Sequence, residues 1–164
     1  MELVAKGSQD LFLTGNPSVS YFRNVYKRHT NFSCESIQQS IIGDPDFKKT
    51  VECIISRAGD LLTGIIIEID LPKLEGKRNK IVSWINSIGH YILEKIELQI
   101  GGNVIDTHYG EWLEIWNELT ISEAHKKGYY NMIGKDITIT NKKTLLIPLQ
   151  FWFCRNYGLA LPLI

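Results

Sequence analysis

Four histidines and three cysteines are the residues of this sequence best equipped for chemistry: His29, His90, His108 and His125, with Cys34, Cys53 and Cys154. No two histidines stand at the His-x-His or His-x-x-x-His spacing that brings two imidazoles to one metal ion. Asp106, His108 and Glu111 form the one acid–imidazole–acid group that a general base would want. They also fall beside a turn and a helix start, where polar residues are expected in any case. There is no Cys-x-x-Cys pair, and the only basic neighbour of any thiol is Arg155, next to Cys154, so neither a zinc site nor an activated thiolate is expected. The phosphate-cradling Gly-x-x-x-x-Gly-Lys, the dinucleotide Gly-x-Gly-x-x-Gly and the hydrolase Gly-x-Ser-x-Gly are absent. The expectation is a structural or binding protein with no catalytic residue, no metal and no cofactor.

One segment invites a binding role. Tyr21-Phe22-Arg23-Asn24-Val25-Tyr26-Lys27-Arg28-His29 mixes aromatic and basic residues. It reads either as a contact segment that docks on a neighbour or on nucleic acid, or as a short element packed on the core with its basic residues solvated. The chain carries 18 basic and 18 acidic residues over 164 positions, and zero net charge argues against direct nucleic-acid binding, whose phosphate contacts need a basic excess. Lys77, Arg78 and Lys80 lie in a short charged loop, residues 73–80, and read as a solvated loop tip. Asn31-Phe32-Ser33 is a glycosylation sequon that needs a secretory context to matter. No apolar run is long enough to span a membrane, and the N-terminus lacks the pattern of a signal peptide. Scattered cysteines without an export signal read as reduced thiols.

The elements that must position these residues are mostly strands. Residues 1–34 read as an arm, with a turn at Thr14-Gly15-Asn16-Pro17-Ser18. Strands are expected at Ser36–Ile42 and Thr50–Ser56, separated by Gly43-Asp44-Pro45-Asp46. Over Gly64–Leu71, Ile65, Ile67, Ile69 and Leu71 share one face and Ile66, Glu68 and Asp70 the other, a period of two. Ile92–Ile100 alternates again. Gly101-Gly102 before Asn103-Val104-Ile105-Asp106 marks a tight hairpin, because primed turns need positive φ. One helix is expected over 111–127, with an apolar stripe of Trp112, Ile115, Trp116 and Leu119, basic residues in its last turn and Gly128 as its stop. Strands follow at Ile137–Thr140 and Thr144–Phe153, the latter with Pro148 at an edge or bulge. Leu159–Ile164 opens another apolar run, expected either to pair with something outside this sequence or to be the cut edge of a longer chain.

Several runs together resemble the N-terminal part of the major capsid proteins of large nucleocytoplasmic DNA viruses. They are Gly15-Asn16-Pro17 through Tyr21-Phe22 and Val25 to Phe32; Ile88-Gly89-His90; Ile100-Gly101-Gly102 with Ile105-Asp106; Tyr109-Gly110-Glu111-Trp112; and Ile147-Pro148-Leu149-Gln150-Phe151-Trp152-Phe153-Cys154-Arg155-Asn156 continuing to Ile164. Tyr157 stands where the family pattern has proline. The resemblance implies a mainly β fold: an antiparallel jelly-roll β-sandwich over 35–164, the first jelly roll of a double jelly-roll protein, truncated before its last strands. It implies a structural virion protein that builds an icosahedral shell through trimeric capsomers, with copies of itself and minor capsid proteins as partners. An internal viral membrane would lie nearby without insertion, and assembly would take place in host cytoplasm. The arm residues Tyr21, Phe22, Arg23, Tyr26, Lys27 and Arg28 would make contacts between subunits. Gly101, Gly102, Asp106, Trp112, Pro148, Phe151, Trp152, Arg155 and Asn156 would form the structural motif. The alternative is a stand-alone jelly-roll binding or decoration module of minor-capsid or lectin-like type.

Overall fold

The computed structural model describes residues 31–75, 82–136, 138 and 140–163. The arm residues Tyr21 to Arg28 and the basic trio Lys77, Arg78 and Lys80 lie outside these, as do Ile137 and Ile139 of the expected strand at 137–140. The chain divides into two compact units, Met1–Ile54 and Ile55–Ile164. In the first, the strands expected at 36–42 and 50–56 shrink to Ile41–Ile42 (β1) paired antiparallel with Glu52–Cys53 (β2). Alternation lengthens a strand only where one face is buried, and all four of these residues are exposed. Lys49 closes the intervening turn by pairing with Asp44 and donating its N–H to Asp46 O.

The second unit is built on Ile66–Leu71 (β4) and Lys143–Pro148 (β7), antiparallel, with Ile67 opposite Ile147 and Ile69 opposite Leu145. The expected alternation is present: Ile67, Ile69 and Leu71 turn inward while Ile66, Glu68 and Asp70 are exposed. Leu145 and Ile147 are fully buried opposite them, each contributing about 1.5–3 kcal/mol through burial. The strand expected to run to Phe153 ends at Pro148, which has no N–H to donate. Leu149 N–H still reaches Ile65 O at 2.9 Å, and Trp152–Arg155 (α4) then turns helical.

Lys95–Ile100 (β5) and Asn103–Tyr109 (β6) form the expected hairpin, with Gly101 and Gly102 at φ 59° and 82°. Both values favour glycine. Leu98 of β5 joins one core with Leu113, Ile147, Leu149, Phe151 and Phe153; a second cluster holds Leu71, Ile88 and Leu145. Ile88–Tyr91 (α1), to which the sequence assigns no element, forms one helical turn, and the strand expected from Ile92 begins only at Lys95.

The single helix expected over 111–127 is two: Gly110–Thr120 (α2) and Glu123–Ile133 (α3). Ile121 and Ser122 are extended between them. Thr120 Oγ1 donates back to Trp116 O at 2.7 Å and closes α2, while Ser122 O accepts from the N–H groups of His125 and Lys126 and opens α3. Gly128 therefore lies inside α3, and the glycine that ends it is Gly134, at φ 77°. The buried face of α2 is Gly110, Leu113 and Asn117, one position round from the expected stripe; Ile115 and Leu119 are 59% and 78% exposed. One position rotates a helical face by about 100°, and Gly110 decides which face turns inward because its missing Cβ allows the closest approach.

The closing apolar run also departs from expectation. Its partner lies inside the chain: Leu161–Pro162 (β8) pairs antiparallel with Leu61–Leu62 (β3), and Leu163 N–H donates to Asp60 O at 3.0 Å. Leu61 and Leu62 supply the open edge that the run satisfies. Among the described residues all four strand pairs are antiparallel, in a mainly β architecture with few helices.

Candidate functional site

Two side-chain assemblies hold the second unit together. The first is a stack of rings. Phe153, Phe151, His108, Trp112 and Trp116 follow one another with centroid separations of 5.8, 4.5, 4.2 and 5.4 Å, all near parallel. The Arg155 guanidinium caps the outer end, 4.3 Å from the Trp116 ring centre, and its Nε donates to Gln150 O at 3.0 Å. β6 supplies His108, α2 supplies the tryptophans, and the segment after β7 supplies the rest. The spacing of Trp112 and Trp116, one helical turn apart, is what puts both indoles on this side of α2.

Asp106 orients the imidazole. Its Oδ2 lies 3.2 Å from His108 Nε2, while its Oδ1 accepts from Thr107 N–H at 2.8 Å. A carboxylate only accepts, so the neutral ring carries its proton on Nε2. The bare Nδ1 is buried with no hydrogen-bond partner among the described residues. Burial pushes the His108 imidazole below its ordinary value; Asp106 opposes this and Arg155 adds to it.

The second assembly clamps α1, α2 and α3. His90 is completely buried; its Nδ1 lies 2.6 Å from Glu114 Oε2 and its Nε2 accepts from Tyr129 Oη at 3.0 Å. Glu114 Oε1 accepts from Lys135 Nζ at 2.6 Å and from Ser87 Oγ at 3.3 Å, and Lys135 also pairs with Glu118. Burial lowers His90, with Glu114 opposing. Burial works to raise Glu114, but Lys135 and His90 hold it below the usual carboxylate value. Tyr129, desolvated and beside that carboxylate, is pushed up to about 12.

Glycine sets the spacing of the clamp. A Cβ on Gly110 would stand 2.2 Å from His90 O, and one on Gly89 would stand 2.8 Å from Ile133 O. Asn86 straps the base: its Oδ1 accepts from Asp136 N–H at 2.7 Å and Ser87 N–H at 3.1 Å.

Of the residues singled out in the sequence, the structure brings Asp106, Trp112, Phe151 and Arg155 together around His108. Trp152 meets Phe153 edge-on at 5.2 Å, and Asn156 Oδ1 accepts from Gly158 N–H at 2.8 Å. Pro148 ends β7, and Gly101 and Gly102 sit at the hairpin turn. Glu111 is exposed and is no third member of the Asp106–His108 pair. Sequence reasoning missed the roles of His90, Glu114, Tyr129 and Lys135. Ile88-Gly89-His90 and Tyr109-Gly110-Glu111-Trp112 were the available signals, since each carries a glycine at a close approach. Chemically, both assemblies fasten elements to one another. Among the described residues no cluster of three or more histidine, cysteine or acidic side chains could hold a metal ion, and no helix is long and apolar enough to cross a membrane. An open depression lined by Ser83, Trp84, Asn86, Asp136 and Thr138 offers one carboxylate and neither imidazole nor thiol.

Comparison with known proteins follows the same lines. Residues 20–164 match the family described as major capsid protein N-terminus. The chain is 46% identical to the major capsid protein of Pyramimonas orientalis virus, over all of this chain and 42% of that one. It is 42% identical to capsid protein 1 of Acanthamoeba polyphaga mimivirus, over all of this chain and 31% of that one. The quasi-atomic structure of the PBCV-1 virus capsid superposes with a TM-score of 0.74 at 35% identity, covering 88% of this chain and 34% of that one. The chain thus spans less than half the length of each of these proteins.

Proposed function

The chain belongs to the family of major capsid proteins of the large nucleocytoplasmic DNA viruses, and from that premise we propose that it is a structural subunit of an icosahedral viral shell. The observation that carries this reading is its superposition, over most of its length, on a protein solved as part of a virus capsid. The chemistry of the described residues supports it. The buried polar groups fasten helices and strands to one another, which suits a part that acts through its surfaces.

In detail, the strand pairs belong to the first jelly roll of a double jelly-roll subunit, and three such subunits form a capsomer. The partners are copies of the same protein and minor capsid proteins. Residues 1–34 form an inward arm that contacts them through Tyr21, Phe22, Arg23, Tyr26, Lys27 and Arg28. The shell is assembled in host cytoplasm around an internal membrane that the subunit does not enter, and the subunit neither catalyses a reaction nor binds nucleic acid directly.

Peptide mapping and mass measurement of purified particles test the reading. Peptides from residues 31–163 are expected among the abundant shell components; their absence from particles refutes it. Light scattering on the subunit released from particles is expected to give three times the subunit mass. Deletion of residues 1–30 that left shell assembly unchanged would remove the role given to the arm.

A further inference from the structure

We propose that His108 is an acid-operated release for the ring stack: proton uptake on its second ring nitrogen loosens the contact between β6, α2 and residues 151–155. The geometry carries this. The imidazole is 5% exposed and lies between the Trp112 and Phe151 rings, at 4.2 and 4.5 Å. Nε2 already faces Asp106, so a new proton goes to Nδ1, which has no acceptor among the described residues. A buried N–H without a partner is unfavourable, and the ring can satisfy it only by moving toward water.

The groups that face the imidazole come from each element around it. β6 contributes the Asp106 carboxylate, which favours the charged ring. α4 contributes the Arg155 guanidinium, which disfavours it. α2 and the segment before α4 contribute Trp112 and Phe151, which carry no charge; their ring faces attract a cation and so oppose release. Burial is the larger effect, and the imidazole is held below its ordinary value. His90 is a natural contrast: both of its nitrogens have partners, and Tyr129 Oη can turn to accept a hydrogen bond from a newly protonated Nε2–H, an acceptor that His108 Nδ1 lacks among the described residues.

The ring stack joins three elements through one titrating member, so its release frees Trp112, Trp116 and Arg155 together. The switch is a property of the chain itself, whether or not the chain builds a shell.

The test is a titration of the full chain from about pH 8 to about pH 5, the range in which histidine changes charge, with imidazole and indole signals followed by NMR. His108 is expected to titrate with a midpoint below the ordinary 6.5, and the Trp112 and Trp116 indole signals are expected to change with that same midpoint. In His108→Phe, which keeps a ring in the stack but cannot titrate, the indole signals are expected to stay constant. Arg155→Gln is expected to move the His108 midpoint upward. A midpoint at or above 6.5, or indole signals in His108→Phe that still follow the wild-type midpoint, overturns the proposal. If His108→Phe fails to fold, the wild-type titration decides alone: indole signals that ignore the His108 midpoint overturn it.

Discussion

Gly110→Ala and Gly128→Ala add the same methyl group to a helix, yet the structure gives them opposite signs. At Gly110 the new Cβ would stand 2.2 Å from His90 O and 2.6 Å from Leu93 O. Ordinary contact begins near 3.4 Å, so the two carbonyls must retreat by about an ångström. They are backbone atoms, and His90 O already accepts from Leu93 N–H at 3.2 Å, so no side-chain rotation relieves the clash. Overpacking of this kind costs about 1–3 kcal/mol, and rigid obstacles place it at the top of that range. Alanine's better helix propensity returns at most about 1 kcal/mol, leaving a net loss of about 2–3 kcal/mol. At Gly128 the Cβ would meet nothing within 4 Å, and only the propensity remains, a gain of about 0.5–1 kcal/mol. Urea unfolding of the full chain, followed by circular dichroism, separates the two. With a slope of about 2 kcal/mol per molar, Gly110→Ala is expected to lower the midpoint by about 1 M and Gly128→Ala to raise it by a few tenths. A wild-type midpoint for Gly110→Ala, or a shift of the same sign for both, would refute the claim that backbone contact at Gly110 fixes the packing of α1 on α2.

Lys135→Met removes the cation that Glu114 and Glu118 share; it is expected to destabilise the chain by about 2–3 kcal/mol in the same assay, because a half-buried carboxylate loses its partner. Leu113→Ala empties a site that is 1% exposed and is expected to cost about 2–5 kcal/mol, whereas Leu119→Ala on the exposed face is expected to stay within about 0.5 kcal/mol of wild type. His90 and His108 both have lowered folded values, so below the ordinary 6.5 the unfolded chain binds more protons than the folded one. Their contribution to stability is therefore complete above that value and declines as the pH falls toward their folded values; a melting temperature that held level or rose from about pH 7 to about pH 5.5 would refute it. Gly102→Ala forces alanine to φ 82° and is expected to cost about 1–2 kcal/mol in thermal unfolding.

What could be read in the sequence was what depends on neighbours along the chain. The inward set Ile67, Ile69 and Leu71 follows from a period of two, and the β5–β6 turn follows from a glycine pair. What escaped depends on partners brought from far away. The stripe through Trp112, Ile115 and Trp116 is sound periodicity, but the face that turns inward is chosen by Gly110 against the His90 carbonyl. The break at Ile121-Ser122 was hidden because either side is good helix, and Gly128 looked like a stop only because Gly134 was further on. His90 looked isolated, since its partners Glu114 and Tyr129 sit on two different helices. The run after Leu159 reads as unpaired because β3, just two residues long, gives no signal of its own.

The Asn86 strap bears on the order of folding. Asp70 and Thr144 are 74 positions apart, and Asn86 and Asp136, 50 apart, lie between them. These are nested loops, one inside the other. If β4 met β7 first, the chain would close the whole outer loop at once. If the hairpin and helices collapse first and Asn86 ties their base, roughly 24 loose residues remain, and the outer closure becomes easier by about 1 kcal/mol. The β4–β7 pair, far longer in range than the β5–β6 hairpin, is therefore expected to zip after the hairpin and helices, onto a helical insert already in place.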